Sequence, residues 1–481
     1  MFYLVLACCP QRHFTALVCC LGLTISYLMR FSLSIAITEM AAQPEVKEDP
    51  NACPYPNRTS VEHHNRTLFP WTEMQQGIIL SSFFWGYVFT PVLGGLISEA
   101  YGAKPVLGWG VACTSLATFL TPMFVHIWDW IGLIIMRILI GLSQGVVYAA
   151  LHTLVAHWIP SQERGTWGTV IFTGAQVGNT ISMLCTSQLL AAFKDWEIVF
   201  YLYGVLGFLW TGLFAMTAFS SPIDHPLLAD SEKEVLCIYM AKVRKRKSNK
   251  GTPWKKILTS KPVIVMIIAM IGHDWGMFSL VSDIPKYMKA VLHFNIKQNG
   301  MFLAMGYMLI CVVGISSGVL VDAIERHKLV TLTQNRKIMA SLASIGPSFG
   351  LIGVTYSGCS TSRSMTCLLV GMAFMGFYYP SLKINTVDLS PNFAGTVGAL
   401  THSMGGLSGI IVPYVIGLLT PNGFLMEWRL VFWICFVVIM VTNAVYVAFA
   451  SADLQPWNDD TEEDPLLREA EGSDSLHSLK L

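Results

Sequence analysis

The sequence predicts an all-α membrane protein of twelve spanning helices arranged as two six-helix halves. Three observations predict it. The 481-residue chain is 53% hydrophobic and only 13% charged, with a mean hydropathy of +0.53, whereas a soluble domain is about a quarter charged. Long apolar runs recur from Phe14 to Ala450, each near the ~20 residues that cross a ~30 Å hydrocarbon core. Short motifs also recur, at a nearly constant offset, on either side of a basic central loop.

The runs begin near Phe14, Gly77, Pro105, Trp130, Trp167, Val199, Pro262, Gly300, Ile338, Met365, Gly395 and Val431. They are too long and too uniformly apolar for barrel strands. They divide the chain into an N-terminus (1–13), a first half (14–220), a central loop (221–261), a second half (262–450) and an acidic, polar tail (451–481). The basic loops "AKVRKRKSNKGTPWKK" and "IERHKLVTLTQNRK" belong on the cytosolic side by the positive-inside rule. With twelve spans, both termini are then cytosolic. The loop 41–76 falls on the luminal side and carries two glycosylation sequons, at Asn57 and Asn65, which predicts a glycoprotein.

The first helix itself directs insertion, without a cleaved signal peptide. Ser231 with Glu234 fits a capping box, so the central loop is expected to hold a short helix whose basic end serves topology control first, with contact to anionic lipid as the alternative. The net charge of +1 says nothing about partners; no nucleic-acid partner is expected. The twelve cysteines have no metal spacing and read as small apolar packing residues. Cys53 and Cys359, both in luminal loops, form a candidate disulfide; Cys8 and Cys9 are candidate acylation sites.

The repeats are specific. "GLISEAYGAK" places Glu99 four residues after Gly95, and "GVLVDAIERH" places Asp322 four after Gly318, 223 residues later. "PSQERG" from Pro160 and "PNFAG" from Pro391 are 231 apart. Each offset spans about six helices and keeps the same loop side. This is the parallel repeat of the two halves of major facilitator transporters.

Polar residues inside the spans point to a wet interior. In "WDWIGLIIMRILIGLSQGVVYAALHTLVAHW", Arg137, Gly141, Gln144, Tyr148 and His152 are spaced three or four apart and share one helix face. A charge at the bilayer centre costs at least ~2.5 kcal/mol and seldom faces lipid. In the first span Tyr27, Arg30 and Ser34 share a face. A planar guanidinium donates two parallel hydrogen bonds to a carboxylate or phosphate, so two such arginines suit an anion. His273 and Asp274 lie near the middle of the seventh span. An intramembrane acid or histidine is a natural proton carrier, and Asp274 is equally a candidate salt-bridge partner of an arginine. His402, beside Gly405, Gly406 and Gly409, reads as a packing residue. No nucleophile, base and orienting group converge, so an enzyme has no support, and nothing resembles a channel filter.

The chain resembles the anion transporters of solute carrier family 17, which include sialin, the vesicular glutamate transporters and the sodium–phosphate cotransporters. The resemblance runs from about Tyr27 to Trp457. It rests on "RFSLSIAI", "GIILSSFFWGY", "RILIGLSQGVVYAALH", "GAQVGNTIS", "WEIVFYLYG", "IPKYMKAVLHFNIKQNG", "VDLSPNFAGT" and "FASADLQPW", and is closest in character to the sialin and phosphate-cotransporter branches. It implies a major facilitator superfamily bundle working by alternating access. It places Arg30 and Arg137 at the family's substrate-linked arginines and His152 at its fourth-helix histidine. Glu99 and Asp322 match the loop acids that lock and release the halves. Two positions depart from the pattern. Gln144 stands where relatives have a proton-linked Glu, and His273 stands near where glutamate transporters have an Arg. Several relatives have Asn at Asp274, which suggests that Asp274 or His273 replaces the missing Glu as coupling group.

The expected activity is cation-coupled symport of a small organic or inorganic anion, with Arg30, Arg137, Tyr27, Gln144, Tyr148 and His152 at the substrate and no cofactor beyond a co-transported H+ or Na+. A non-transporting receptor or scaffold on the same fold is the alternative. The tail motif "EEDPLL", with Glu462, Leu466 and Leu467, matches an acidic dileucine signal read by clathrin adaptors. It favours a lysosomal or vesicular membrane, with the plasma membrane as the other address.

Overall fold

The computed structural model describes residues 10–40, 69–222 except 72 and 194, 252–280, 296–420 and 424–459, with a few single positions between. Asn57, Asn65, Cys8, Cys9, Cys53, Ser231, Glu234, Glu462, Leu466 and Leu467 lie outside the described residues. Cys359 is disulfide-bonded.

Among the described residues there is no β-strand, and ten helical segments are long and apolar enough to span a membrane. The helices are α1 (Gln11–Met40), α2 (Gln75–Tyr101), α3 and α4 (together Ala103–Trp158), α5 (Arg164–Phe193), α6 (Glu197–Thr217), α7 (Lys261–Phe278), α8 (Ile296–Arg326), α9 (Leu332–Ser357), α10 (Thr361–Leu389), α11 (Pro391–Leu419) and α12 (Leu425–Phe449). Two features separate ten from twelve. The Ala103–Trp158 run is 56 residues, which as one straight helix would be ~84 Å long, far more than a bilayer core. It breaks at Trp128 and Asp129, where Asp129 adopts φ 51°. A Cβ on Gly132 would overlap the carbonyl oxygen of Phe124, a contact possible only if the chain folds back. Trp71 Nε1 donates to Asp129 Oδ1 at 2.9 Å and ties this turn to the segment before α2. The other feature is α5, whose Arg164, Gln176 and Asn179 make it too polar to register as a span by hydropathy.

The internal repeat is built into the contact between the halves, which meet along α2–α11 and α5–α8. Glu99, at the end of α2, accepts from the Thr396 backbone N–H (2.6 Å) and from Thr396 Oγ1 (2.9 Å) at the start of α11. Asp322, near the end of α8, accepts from the Thr166 backbone N–H at the start of α5 (2.7 Å). Each acid therefore caps a helix N-terminus of the opposite half, where free N–H groups and the helix dipole favour a negative charge. The glycines four residues earlier permit the approach. A Cβ at Gly95 would lie 2.7 Å from the Gly395 carbonyl oxygen, and one at Gly318 would lie 2.6 Å from that of Gly165.

The same face holds an ion network. Asp388 of α10 pairs with Arg164 of α5 (3.1 Å) and Arg336 of α9 (2.9 Å), and Arg336 also reaches Glu325 (3.4 Å). Arg164 is in the first half and Asp388 in the second, so the network closes this face. The first and last described segments reach this face too: Arg12 pairs with Glu163 at 3.0 Å, and Asn458 accepts from Ser390 Oγ at 2.7 Å.

Candidate functional site

A cavity lies between the halves. Its wall includes Tyr27, Arg30 and Phe31 of α1, Tyr87 of α2, Tyr148 of α4, Gln176 and Asn179 of α5, His273 and Asp274 of α7, Tyr378, Tyr379 and Lys383 of α10, and His402 of α11. Mostly aromatic walls with a few convergent polar groups are typical of small-molecule sites.

Arg30 is 5% exposed. Its guanidinium carbon lies 4.2 Å from the Phe83 ring centre, 4.8 Å from that of Tyr87 and 5.3 Å from that of Tyr27. Such contacts hold a guanidinium without neutralising it. Among the described residues no carboxylate pairs with Arg30 or Arg137. The segment "SSFFWGY" supplies this cage, because Phe83, Phe84 and Tyr87 recur at helical spacing.

The stripe on α4 divides. Tyr148 lines the cavity and its hydroxyl donates to the Tyr27 hydroxyl at 2.9 Å. Arg137, Gln144 and His152 do not line it, in contrast to the shared role expected from their shared face. Arg137 Nη1 donates to the Arg30 carbonyl (2.9 Å), and Gln144 Nε2 to the Ser26 carbonyl (2.7 Å). Both side chains therefore seam α4 to α1, behind the wall that carries Arg30. His152 is fully buried against the Phe172 ring (4.7 Å), with Gly398 packed on its imidazole. Neither of its ring nitrogens has a hydrogen-bond partner among the described residues.

On the second half, His273 stacks flat on Tyr378, with 3.6 Å between ring centres. Asp274 is also on the wall, 8% exposed, with no ion pair among the described residues. Both neighbours therefore face the cavity, although adjacent helical positions diverge by about 100°. His402 is not the packing residue the glycines around it suggested. Its Nδ1 accepts from Lys383 Nζ at 2.8 Å, its Nε2 bonds the Tyr87 hydroxyl, and its ring lies 4.2 Å from that of Tyr148. A charged lysine only donates, so Nδ1 is the acceptor and Nε2 carries the hydrogen directed at Tyr87.

Lys383 escaped the sequence reading. It is 2% exposed and ends a π-helical turn, Tyr379–Lys383, inside α10. Single π turns inside α-helices often mark functional sites. The available signal was a lysine within an apolar run, in "YYPSLKINTVDL". Gln176 and Asn179 were missed as well; Gln176 Nε2 donates to the Tyr379 hydroxyl (2.8 Å) and joins α5 to α10.

A bundle of spanning helices in two repeated halves around a polar cavity defines a transporter architecture. Residues 19–413 match the Major Facilitator Superfamily. The chain is 32% identical to a putative inorganic phosphate cotransporter of Drosophila ananassae, covering 92% of this chain and 93% of that one. It is 30% identical to sialin of Homo sapiens (94% and 91% covered) and 30% identical to vesicular glutamate transporter 2.2 of Danio rerio (94% and 76% covered). Among solved structures, the proton:xylose symporter XylE superposes with a TM-score of 0.68 at 14% identity, covering 92% of this chain and 97% of that one. FucP in the outward conformation superposes with a TM-score of 0.64 at 13% identity, covering 90% and 99%. The chain belongs to the Major Facilitator Superfamily and, within it, to solute carrier family 17. It is a multi-pass membrane protein whose relatives are transporters, not enzymes.

Proposed function

We propose that the protein is a secondary active transporter that carries a small anion together with H+ or Na+ by alternating access. The observation that carries this reading is Arg30, a buried cavity-wall cation with no carboxylate in ion-pair contact among the described residues. An entering anion supplies the missing counter-charge. Arg137 acts from behind by holding the Arg30 backbone. Relatives named for phosphate and glutamate transport fit an anionic cargo.

The coupling ion acts at Asp274, which faces the cavity within electrostatic reach of Lys383 and Arg30. When ionised, Asp274 offsets part of the positive charge and competes with the anion. A bound proton or sodium ion removes that competition, so cation and anion enter together. The Glu99, Asp322 and Arg164–Asp388 contacts hold the cytosolic side shut, and must part for release. The protein resides in a lysosomal or vesicular membrane, or at the plasma membrane, with both termini cytosolic.

Uptake of labelled phosphate, urate, sialic acid and acidic amino acids into proteoliposomes, with pH and sodium gradients imposed separately, tests this reading. At least one anion should accumulate under one of the gradients, and Arg30→Gln should abolish it. Accumulation unaffected by Arg30→Gln would overturn it.

A further inference from the structure

The cavity holds a second cation that the anion-transport reading does not use. We propose that Lys383 is a second anion-binding residue and that the substrate is an organic dianion, with one acidic group at Arg30 and the other at Lys383. This rests on the anion-transport reading above.

Four observations support it. Lys383 is almost fully buried on the cavity wall, and its hydrogen bond goes to His402 rather than to a carboxylate. No ion pair reaches it among the described residues. The two cations come from opposite halves, Arg30 from α1 and Lys383 from α10. Aromatic groups intervene: Arg30 lies against Tyr27, the Tyr27 hydroxyl meets that of Tyr148, and Lys383 lies 4.4 Å from the Tyr148 ring centre. Each cation thus has its own aromatic seat, and two acidic groups on a short carbon chain can meet both. The aromatic wall also suits a carbon backbone better than a bare inorganic ion.

Asp274 then sets when the second acidic group is accepted. It shares the cavity with Lys383, Arg30, His273, His402, Tyr27, Tyr87 and Tyr378. Ionised, it occupies the field of Lys383 and repels a second negative group. Protonated, it leaves two positive charges for two acidic groups. The dianion links the halves through Arg30 and Lys383, while His402 and Tyr87 already bridge α11 to α2 beside it. Binding and closure are thereby joined.

The test uses the full chain in proteoliposomes with labelled succinate and labelled succinamate, which match in size and differ by one negative charge. Wild-type protein is expected to take up succinate at least tenfold faster. Lys383→Gln should cut succinate uptake tenfold or more and succinamate uptake by much less, and so erase the ratio; Lys383→Arg should keep it. Equal wild-type rates for the two compounds would overturn the proposal without any variant. So would an unchanged ratio in Lys383→Gln, or loss of both substrates in a monodisperse Lys383→Gln protein. If wild-type protein moves phosphate but neither organic anion, the dianion proposal falls and anion transport stands. If it moves no anion at all, both fall.

Discussion

Two pairs of buried arginines divide this molecule. Arg164 and Arg336, on the face where Glu99 and Asp322 cap the opposite half, are 3% and 2% exposed and share Asp388. Arg30 and Arg137, inside the bundle, are each 5% exposed and have no carboxylate partner among the described residues. The chemistry is the same and the surroundings are opposite. In a low-dielectric interior a buried charge is tolerated when it is paired. The gate pair meets that condition internally. The inner pair, of which only Arg30 lines the cavity, meets it only in part, through aromatic rings and one carbonyl. The difference separates a pair whose charge is answered within the protein from a pair whose charge is not, and under the proposed function only the second awaits a ligand.

The largest effect is expected from breaking the lock. Asp388→Ala leaves Arg164 and Arg336 buried without their shared acid, and losing one partner of a buried pair costs ~3–5 kcal/mol. Thermal unfolding in detergent should show a large drop. Adding Arg164→Gln and Arg336→Leu should restore much of it. If Asp388→Ala unfolds no earlier than wild type, the gate arginines are not held as argued.

Arg30→Gln should behave in the reverse way. It removes an uncompensated charge, so unfolding should be unchanged or slightly later, while anion uptake falls at least thirtyfold (roughly 2 kcal/mol, at 1.4 kcal/mol per tenfold). A protein that loses stability in step with transport would place Arg30 with the structural arginines. Asp274→Asn comes next. Asn imitates the protonated carboxyl, so uptake should persist at high pH and should no longer rise on acidification. A pH profile identical to wild type rules out Asp274 as the coupling group.

Much of this architecture was legible in the sequence, because hydropathy sets helix length and the bilayer fixes how many residues cross it. Each predicted run begins within six residues of a helix start or of the break at Trp128 and Asp129. The paired motifs around Glu99 and Asp322 became the contacts between the halves, since a glycine four residues before an acid is a packing instruction as well as a pattern. The cavity was legible only in part. Periodicity says which residues share a helix face, not where along the helix that face meets the cavity. The α4 stripe from Arg137 to His152 runs ~22 Å, so Tyr148 reaches the cavity while Arg137 and Gln144 reach α1 and His152 reaches Phe172 and Gly398. Lys383 was hidden for another reason. A lysine six residues from the end of an apolar run reads as a side chain that snorkels to the interface. The π turn at Tyr379–Lys383 alters the helix phase and carries Lys383 to the inner wall. No pattern of 3.6-residue period reveals such a turn.

The smallest predicted effect comes from the paired caps and sharpens the comparison. Glu99→Gln keeps an acceptor for Thr396 but removes its charge, as does Asp322→Asn for Thr166. Charge-assisted hydrogen bonds are about twice as strong as neutral ones, so each change should weaken closure by roughly 1 kcal/mol. That corresponds to about a fivefold shift toward opening on this face. Cysteine accessibility at a position such as Ser390, beside the gate and buried here, would read it in an otherwise cysteine-free background. The two caps belong to one repeat and touch different helices, α11 and α5, so their effects should add. A double variant no more open than either single one would show that the Arg164–Asp388 network alone sets closure. The repeat would then contribute helix packing to this face and nothing to its gating.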